Sequence, residues 1–461
     1  MKNRISMRRG WIFSSAIIVM AAGCGGGGSS GPFDGGDGID RSGLTSGAIT
    51  GFGSVIVNGI KYESGTATIT VNGQSANETS LRVGQIVVVR GQLDDNNLTG
   101  TADEIDSDPN LVGPISLIDI ASNTFVVLGQ TVQIDNDTVL MPETLSAYTV
   151  GSFVEVYGFL TGNQQLIATR VDEISTTEYE VSGVLADLDT QNMTFNLLTQ
   201  AVDFSAAELV DFDNTAIGNG QMVEVEGTTF GNGGQLVVDR VTKLPEQFFN
   251  SEDEGLETEI EGRVTRFVSA TDFDVGSVQV TTDNNTVFER GVITDIALDI
   301  KLEVEGTVNS QGAILAEEIE FEAESEAEMS SFVNAIDVAA GSLTVFQQVI
   351  TTDSKTQFID EGPEQLQQFS LSNLSVDDLV ELKLGSGSPL LATRVERVSN
   401  ISNAEIEGVV ESVASPAFTI LGVLITNISG NNTFIEQLSV GDFVEVEGTD
   451  NGDGTMTISL D

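Results

Sequence analysis

Two residue types recur at fixed places in the sequence, and together they define the chemistry to weigh first. Glutamates stand inside one repeated phrase, at Glu155, Glu224, Glu303, Glu381 and Glu445, and arginines recur in a second phrase downstream, at Arg170, Arg240 and Arg394. A carboxylate and a guanidinium at near-constant separation make either a repeated ligand clamp or a cross-strand ion pair worth roughly 0.2–1 kcal/mol. The ion pair is the expectation. Paired carboxylates also serve glycoside hydrolysis, which needs two of them about 5–10 Å apart across a cleft. With 70 acids such pairs arise by accident, so a polysaccharide hydrolase gains no specific support. Calcium takes oxygen ligands alone, and Asp450-Asn451-Gly452-Asp453-Gly454 and Asp94-Asp95-Asn96-Asn97 have the composition of acidic metal loops. Both fall between expected strands, where Asp, Asn and Gly equally suit tight hairpins, and neither has the closing Glu of an EF-hand loop. Hairpin turns are expected there, with no metal ligand or cofactor assigned.

Other chemistry is excluded by composition. The 461 residues include no His, which removes imidazole triads, proton shuttles and His-ligated metals. Outside the Gly/Ser-rich stretch of residues 23–31 there is no G-x-S-x-G or G-x-G-x-x-G pattern, and no P-loop. No catalytic residue is assigned, and a non-enzymatic protein is expected. Lys and Arg number 19 against 70 acids, a formal charge of −51, and the sole Trp is Trp11. A chain this acidic, with few stacking aromatics, repels phosphate, so nucleic acid is not expected as a partner. A hydrophobic content of 40% and a mean hydropathy of +0.07 nevertheless predict a packed core.

Four of the cations, Lys2, Arg4, Arg8 and Arg9, precede an apolar run from Trp11 to Ala22 and small residues before the only cysteine, Cys24. That order is an export signal over residues 1–23, because a dozen apolar residues fall short of the roughly 20 that span a bilayer. Ala21-Ala22-Gly23-Cys24 resembles the lipobox of bacterial lipoproteins. The resemblance implies that Cys24 is lipidated, becomes the first mature residue and attaches the protein to a membrane. Gly25, standing where Asp resembles an inner-membrane retention signal, directs the expectation to the outer membrane of a Gram-negative bacterium, on either face. Residues 24–46 are rich in Gly and Ser and are expected to be a flexible tether with a reach of roughly 25 Å.

The elements that must position the repeated acids recur as well. The phrase Gly151-Ser152-Phe153-Val154-Glu155-Val156-Tyr157-Gly158 has counterparts beginning at Gly84, Gly220, Ile300, Asp377 and Gly441; the fourth lacks the leading Gly, and the first carries Val88 in place of Glu. The spacing predicts six tandem β repeats: residues 47–108, 109–177, 178–248, 249–328, 329–402 and 403–461. Within each, five short segments alternate apolar and polar residues and are separated by Gly, Asn and Asp, the pattern of half-buried antiparallel strands. Closure into a small five-stranded OB-like barrel removes exposed edges, and a β-sandwich is the alternative. Domains of this size are marginal alone, so adjacent copies are expected to share buried surface. Between the fourth and fifth copies, Glu318-Ile319-Glu320-Phe321 is expected to be a strand and the acidic stretch after it, to Glu328, a solvated linker.

The order T-F-x-V-L-G, V-x-h-D, G-x-x-V-E-V-x-G and L-x-A-T-R-V, closing at Leu166–Val171 and again at Leu390–Val395, resembles a domain-of-unknown-function (DUF) family found in tandem in secreted proteins and lipoproteins of Gram-negative bacteria. The resemblance implies an OB-like fold and an envelope location, and no activity. The expected role is therefore structural or binding work in the cell envelope, with an envelope protein or polysaccharide as partner. A calcium-stabilised adhesive or glycan-binding array is the alternative.

Overall fold

The computed structural model describes residues 5–7 and 41–459, apart from 53, 95–97, 143, 213–214, 246–247, 323–324, 367, 386–388 and 402. Cys24 and most of the expected tether lie outside the described residues. Among the described residues all regular structure is β, with a few single 3-10 turns.

The second copy shows the plan. Its strands are β1 (Leu111–Asp119), β2 (Thr124–Val127), β3 (Gln130–Gln133), β4 (Val139–Met141), β5 (Phe153–Leu160) and β6 (Leu166–Glu173), and these labels are used below for the equivalent strands of every copy. Alternation decides the faces: Val154 and Val156 are fully buried, and Glu155 between them is on the outer side. The pairings close a ring. β1 is antiparallel to β2 and β5, β2 to β3, and β5 to β6, while β3 and β6 run parallel. The same ring recurs in the third to sixth copies.

Two expectations fail here. The strands are not all antiparallel, and a copy has a sixth strand, β4, lying parallel on β6 with Leu140 opposite Val171. The polar stretch at Thr138 is the cause. The Asp135 carboxylate accepts from the Asp137 amide, while the Thr138 hydroxyl accepts from the Asp135 amide at 3.1 Å and donates to the Ala168 carbonyl at 2.6 Å. A turn of this kind stitches the chain to β6 and sends it on in the direction of β6. Two boundaries also move. The first strand of the first copy begins at Arg41, inside the stretch expected to be tether, because Leu44 finds a core. The expected linker before Glu328 is instead part of β1 of the fifth copy, Ser325–Asp337, with Ala327 and Met329 buried.

The described chain divides into two compact units. One contains the fifth and sixth copies, with residues 50–59 and the strand Ile5–Met7; the other contains the remainder of the first four copies.

Within each unit, copies are fused in pairs through β1. In the second and third copies, Val181 lies opposite Leu111 and Glu180 opposite Val112, antiparallel. In the fifth and sixth, Met329 lies opposite Ile406, with Glu328 facing Glu407 and Ser330 facing Glu405. Leu111, Val181, Met329 and Ile406 occupy one repeat position, since each immediately precedes the residue that faces the β5 glutamate. Equivalent residues meeting each other define a local dyad, and both pairs use the same one. The β2–β3 hairpin tips agree: Thr199 Oγ1 donates to the Gly129 carbonyl, and Gln348 Nε2 to the Gly422 carbonyl, each at 3.3 Å. Each pair shares a continuous hydrophobic core, from Leu111 to Val241 in one and from Ala327 to Ile458 in the other. The first and fourth copies pair differently, β1 to β1 in parallel from Gly43 opposite Glu257 to Ser46 opposite Ile260.

Candidate functional site

The strand register does not set the repeated glutamates and arginines opposite one another. Across β5 and β6, Glu155 faces Asp172, Glu303 faces Glu320 and Glu381 faces Glu396, while Arg170 faces Tyr157 and Arg394 faces Lys383. The arginine stands two residues too early on β6 to lie opposite the glutamate. Arg240 reaches Glu226 instead, at 3.2 Å, and Arg170 makes two hydrogen bonds, each 2.5 Å, to Asp172 on its own strand and a third to the Val83 carbonyl. Arg394 lies 3.8 Å from Glu396.

Three of the β5 glutamates, Glu224, Glu381 and Glu445, lie with other acids beside the two dyads. In the pair of second and third copies, Glu180 is nearly buried beside Glu224, Glu226 and Asp108. Burial first, and then these like charges, raise Glu180 well above the usual carboxylate range and push Glu224 up to about 7. In the other pair, Glu405 is pushed up to about 8 by burial and by Glu328, Glu445, Glu447 and Glu381. The Lys383 ammonium hydrogen-bonds Glu328, and Asn403 Nδ2 donates to Glu447 at 3.0 Å. Glu155, close to Asp172, rises to about 7, chiefly through burial. At about 7 and about 8, the carboxyls of Glu155, Glu224 and Glu405 change charge near neutral pH, where an exposed Glu is already ionised.

Sequence reasoning missed the β1 half of these clusters. Glu180, Glu328 and Glu405, with Glu259 of the fourth copy, each immediately precede the dyad position or its equivalent, Val181, Met329, Ile406 and Ile260. That E-φ repeat was available as a signal. It also missed Arg397, three residues beyond Arg394, which binds buried Asp360 through two hydrogen bonds of 2.8 and 2.6 Å and lies 4.9 Å from the centre of the Phe369 ring.

Metal-ligating potential is strongest in the fourth copy, where Glu303, Glu320 and Glu322 bring carboxylate oxygens within 4.8 Å of one another, with Arg290 on Glu320 at 3.1 Å. The Asp450–Gly454 segment is a hairpin loop between β5 and β6 of the sixth copy. Asp450 accepts from the Gly452 amide and from Ser331, and Asp453 from the amide and hydroxyl of Thr455. Of the other loop, Asp95, Asn96 and Asn97 lie outside the described residues. In the larger unit a cavity of about 60 Å³ is lined by Asn110, Phe159, Ile260, Glu261 and Arg263. Ligand pockets are of the order of 300–1,000 Å³. Glu261 closes one wall, accepting from the Ala48 amide at 2.7 Å and pairing with Lys301 at 2.5 Å.

Comparison with known proteins adds the following. None of the curated proteins matches the chain. A solved structure described as "drosophila Unr CSD456" is similar at 15% identity over 46% of this chain and 97% of that one, with a TM-score of 0.12, too low to bear on fold or function. The family model described as "Domain of unknown function (DUF5666)" matches residues 45–106, 112–172, 261–320, 332–396 and 407–457. The third copy is not matched, although its strands follow the same order from Tyr179 to Lys243. With five tandem matches over well more than half of its length, the chain belongs to the DUF5666 family.

Proposed function

We propose that the protein is an exported, non-enzymatic lipoprotein of a Gram-negative cell envelope, held to the outer membrane through Cys24. Its body is a series of six OB-like barrels fused in pairs and doing structural or binding work, with an envelope protein or polysaccharide as partner. The observation that carries this reading is the repetition. One ring of strands, in the order β1-β2-β3-β6-β5 with β3 and β6 parallel, recurs along the chain and joins its neighbour at one dyad position. That order is the one an OB barrel has. Such an array presents equivalent surfaces at regular intervals, which suits a spacer or a multivalent binder better than a single catalytic centre. Metabolic labelling with a palmitate analogue, followed by membrane fractionation, tests the anchor. Label and membrane association are expected in wild type and absent in Cys24→Ala; equal labelling of both would remove the lipoprotein reading.

The carboxylates of Glu303, Glu320 and Glu322 favour a second reading, a calcium-stabilised adhesive or glycan-binding array. Melting in NaCl and CaCl2 at matched ionic strength separates the two. Equal midpoints are expected for the first reading, because screening alone then stabilises the acidic chain; a higher midpoint in CaCl2, lost in Glu303→Gln, would establish the second.

A further inference from the structure

Beside the dyad of the second and third copies, one acid is buried without a counter-charge. Glu180, on β1 of the third copy, is 8% exposed. The register sets it opposite Val112 of the second copy on one side and Glu226 of its own β5 on the other; two residues along the same face, Ser182 lies opposite Glu224. Asp108, from the connection between the first and second copies, and Glu178 add their charges. Arg240 is held by Glu226 at 3.2 Å, and among the described residues the Glu180 carboxylate accepts no hydrogen bond and has no cation against it, while its oxygens still reach solvent. A carboxylate this buried is ordinarily paired. The other dyad has a cation of its own: Lys383, on β5 of the fifth copy, hydrogen-bonds Glu328. Tyr157 stands at that position in the second copy, facing Arg170 as Lys383 faces Arg394. The second and third copies thus keep the acids and lack the built-in ammonium.

We propose that Glu180 and Glu224 form a binding site for the guanidinium of an arginine side chain on a protein partner. A metal ion needs several oxygens at one point, and among the described residues the three carboxylates that converge within 4.8 Å are those of Glu303, Glu320 and Glu322, not these. A guanidinium spreads its donors over a plane and bridges acids that do not converge. Arg397 does so inside the fifth copy, 2.6, 3.1 and 3.7 Å from Asp360, Glu364 and Asp378. Binding is coupled to a proton: burial and like charges keep the empty Glu180 protonated, the arriving cation favours its carboxylate, and the proton leaves to solvent, so affinity rises with pH. The inference deepens the binding reading above by naming the partner's chemistry, and it is independent of the anchor, because lipid labelling at Cys24 and binding at Glu180 can fail separately.

Titration calorimetry of the full-length protein in mild detergent, at fixed ionic strength, with capped tetra-arginine and tetra-lysine peptides as probes, tests it. Wild type should bind tetra-arginine at least fivefold more tightly than tetra-lysine, and at least tenfold more tightly at pH 8 than at pH 6. Glu180→Gln keeps the shape and removes the charge; it should weaken tetra-arginine binding at least tenfold at pH 8 and flatten the pH dependence. Glu224→Gln should weaken it comparably and serves as the second variant if the first does not fold. Glu208→Gln, which removes one exposed carboxylate from β4 of the same copy, should change affinity less than twofold. Equal affinity in wild type and the two site variants would overturn the proposal, as would equal binding of the two peptides. A loss in Glu208→Gln as large as in Glu180→Gln would also overturn it, leaving diffuse attraction to a chain of formal charge −51 in place of a site.

Discussion

At the scale of single residues, Glu405 carries the sharpest consequence. It lies opposite Glu447 of its own β5 and also feels the charges of Glu328, Glu445 and Glu381, and its pKa of about 8 lies above the ordinary value of 4.5. The folded protein therefore binds a proton more tightly there than the unfolded chain does. Stability from this group is fully present below pH 4.5 and declines as pH rises to about 8, the reverse of a salt-bridged carboxylate. Glu405→Gln should leave the melting midpoint at pH 4.5 nearly unchanged and raise stability at pH 8.5 by about 1–2 kcal/mol, after allowance for solvent screening. Calorimetry at the two pH values checks it; an equal effect at both would show that the carboxyl is not the cause. The alternating Val-Glu-Val made the outward direction of the β5 glutamates legible in the sequence. Their acidic neighbours were not, because alternation reports which face a residue takes and says nothing of which strand lies across from it.

At the scale of the element, the phrase's two glycines have different reasons. The closing one marks a close crossing of β5 over β6. A Cβ at Gly158 would lie 2.2 Å from the Ile167 carbonyl oxygen, and at Gly91, Gly227 and Gly306 similarly close to Thr101, Val237 and Leu315. The strand register shifts at each of these four positions. Gly158→Ala should cost about 3 kcal/mol, since the obstacle is backbone and cannot swing aside. The leading glycine has a left-handed backbone, φ +98° at Gly151, with open space around Gly151, Gly220 and Gly441. The fifth copy has Asp377 there at φ 72°, so Asp377→Gly should stabilise by about 0.5–1 kcal/mol. Chemical denaturation of both variants checks the pair of opposite signs. Both glycines were visible in the sequence as repetition, but their separate causes were not: one is a conformation, which a phrase suggests, and the other a distance between strands, which it does not. The parallel β4–β6 contact was hidden for the same reason, being set by the Asp135–Thr138 turn rather than by any apolar pattern.

At the scale of the molecule, the shared cores make the fused pair rather than the single copy the expected unit of folding. A small ring of strands leaves part of its apolar surface uncovered, and joining two at a dyad merges their cores, which explains how domains of 60 to 80 residues persist under so large a net charge. Ile406, fully buried and opposite Met329, tests this. Ile406→Ala removes packing worth about 2–4 kcal/mol from a core that runs from Ala327 to Ile458. If the pair is one cooperative unit, the loss appears as faster amide exchange along both the fifth and the sixth copies, by a similar factor in each, with the second and third unchanged. Independent modules predict acceleration confined to residues 404–458, so the distribution of exchange along the chain, more than its magnitude, decides between a fused pair and a string of separate barrels.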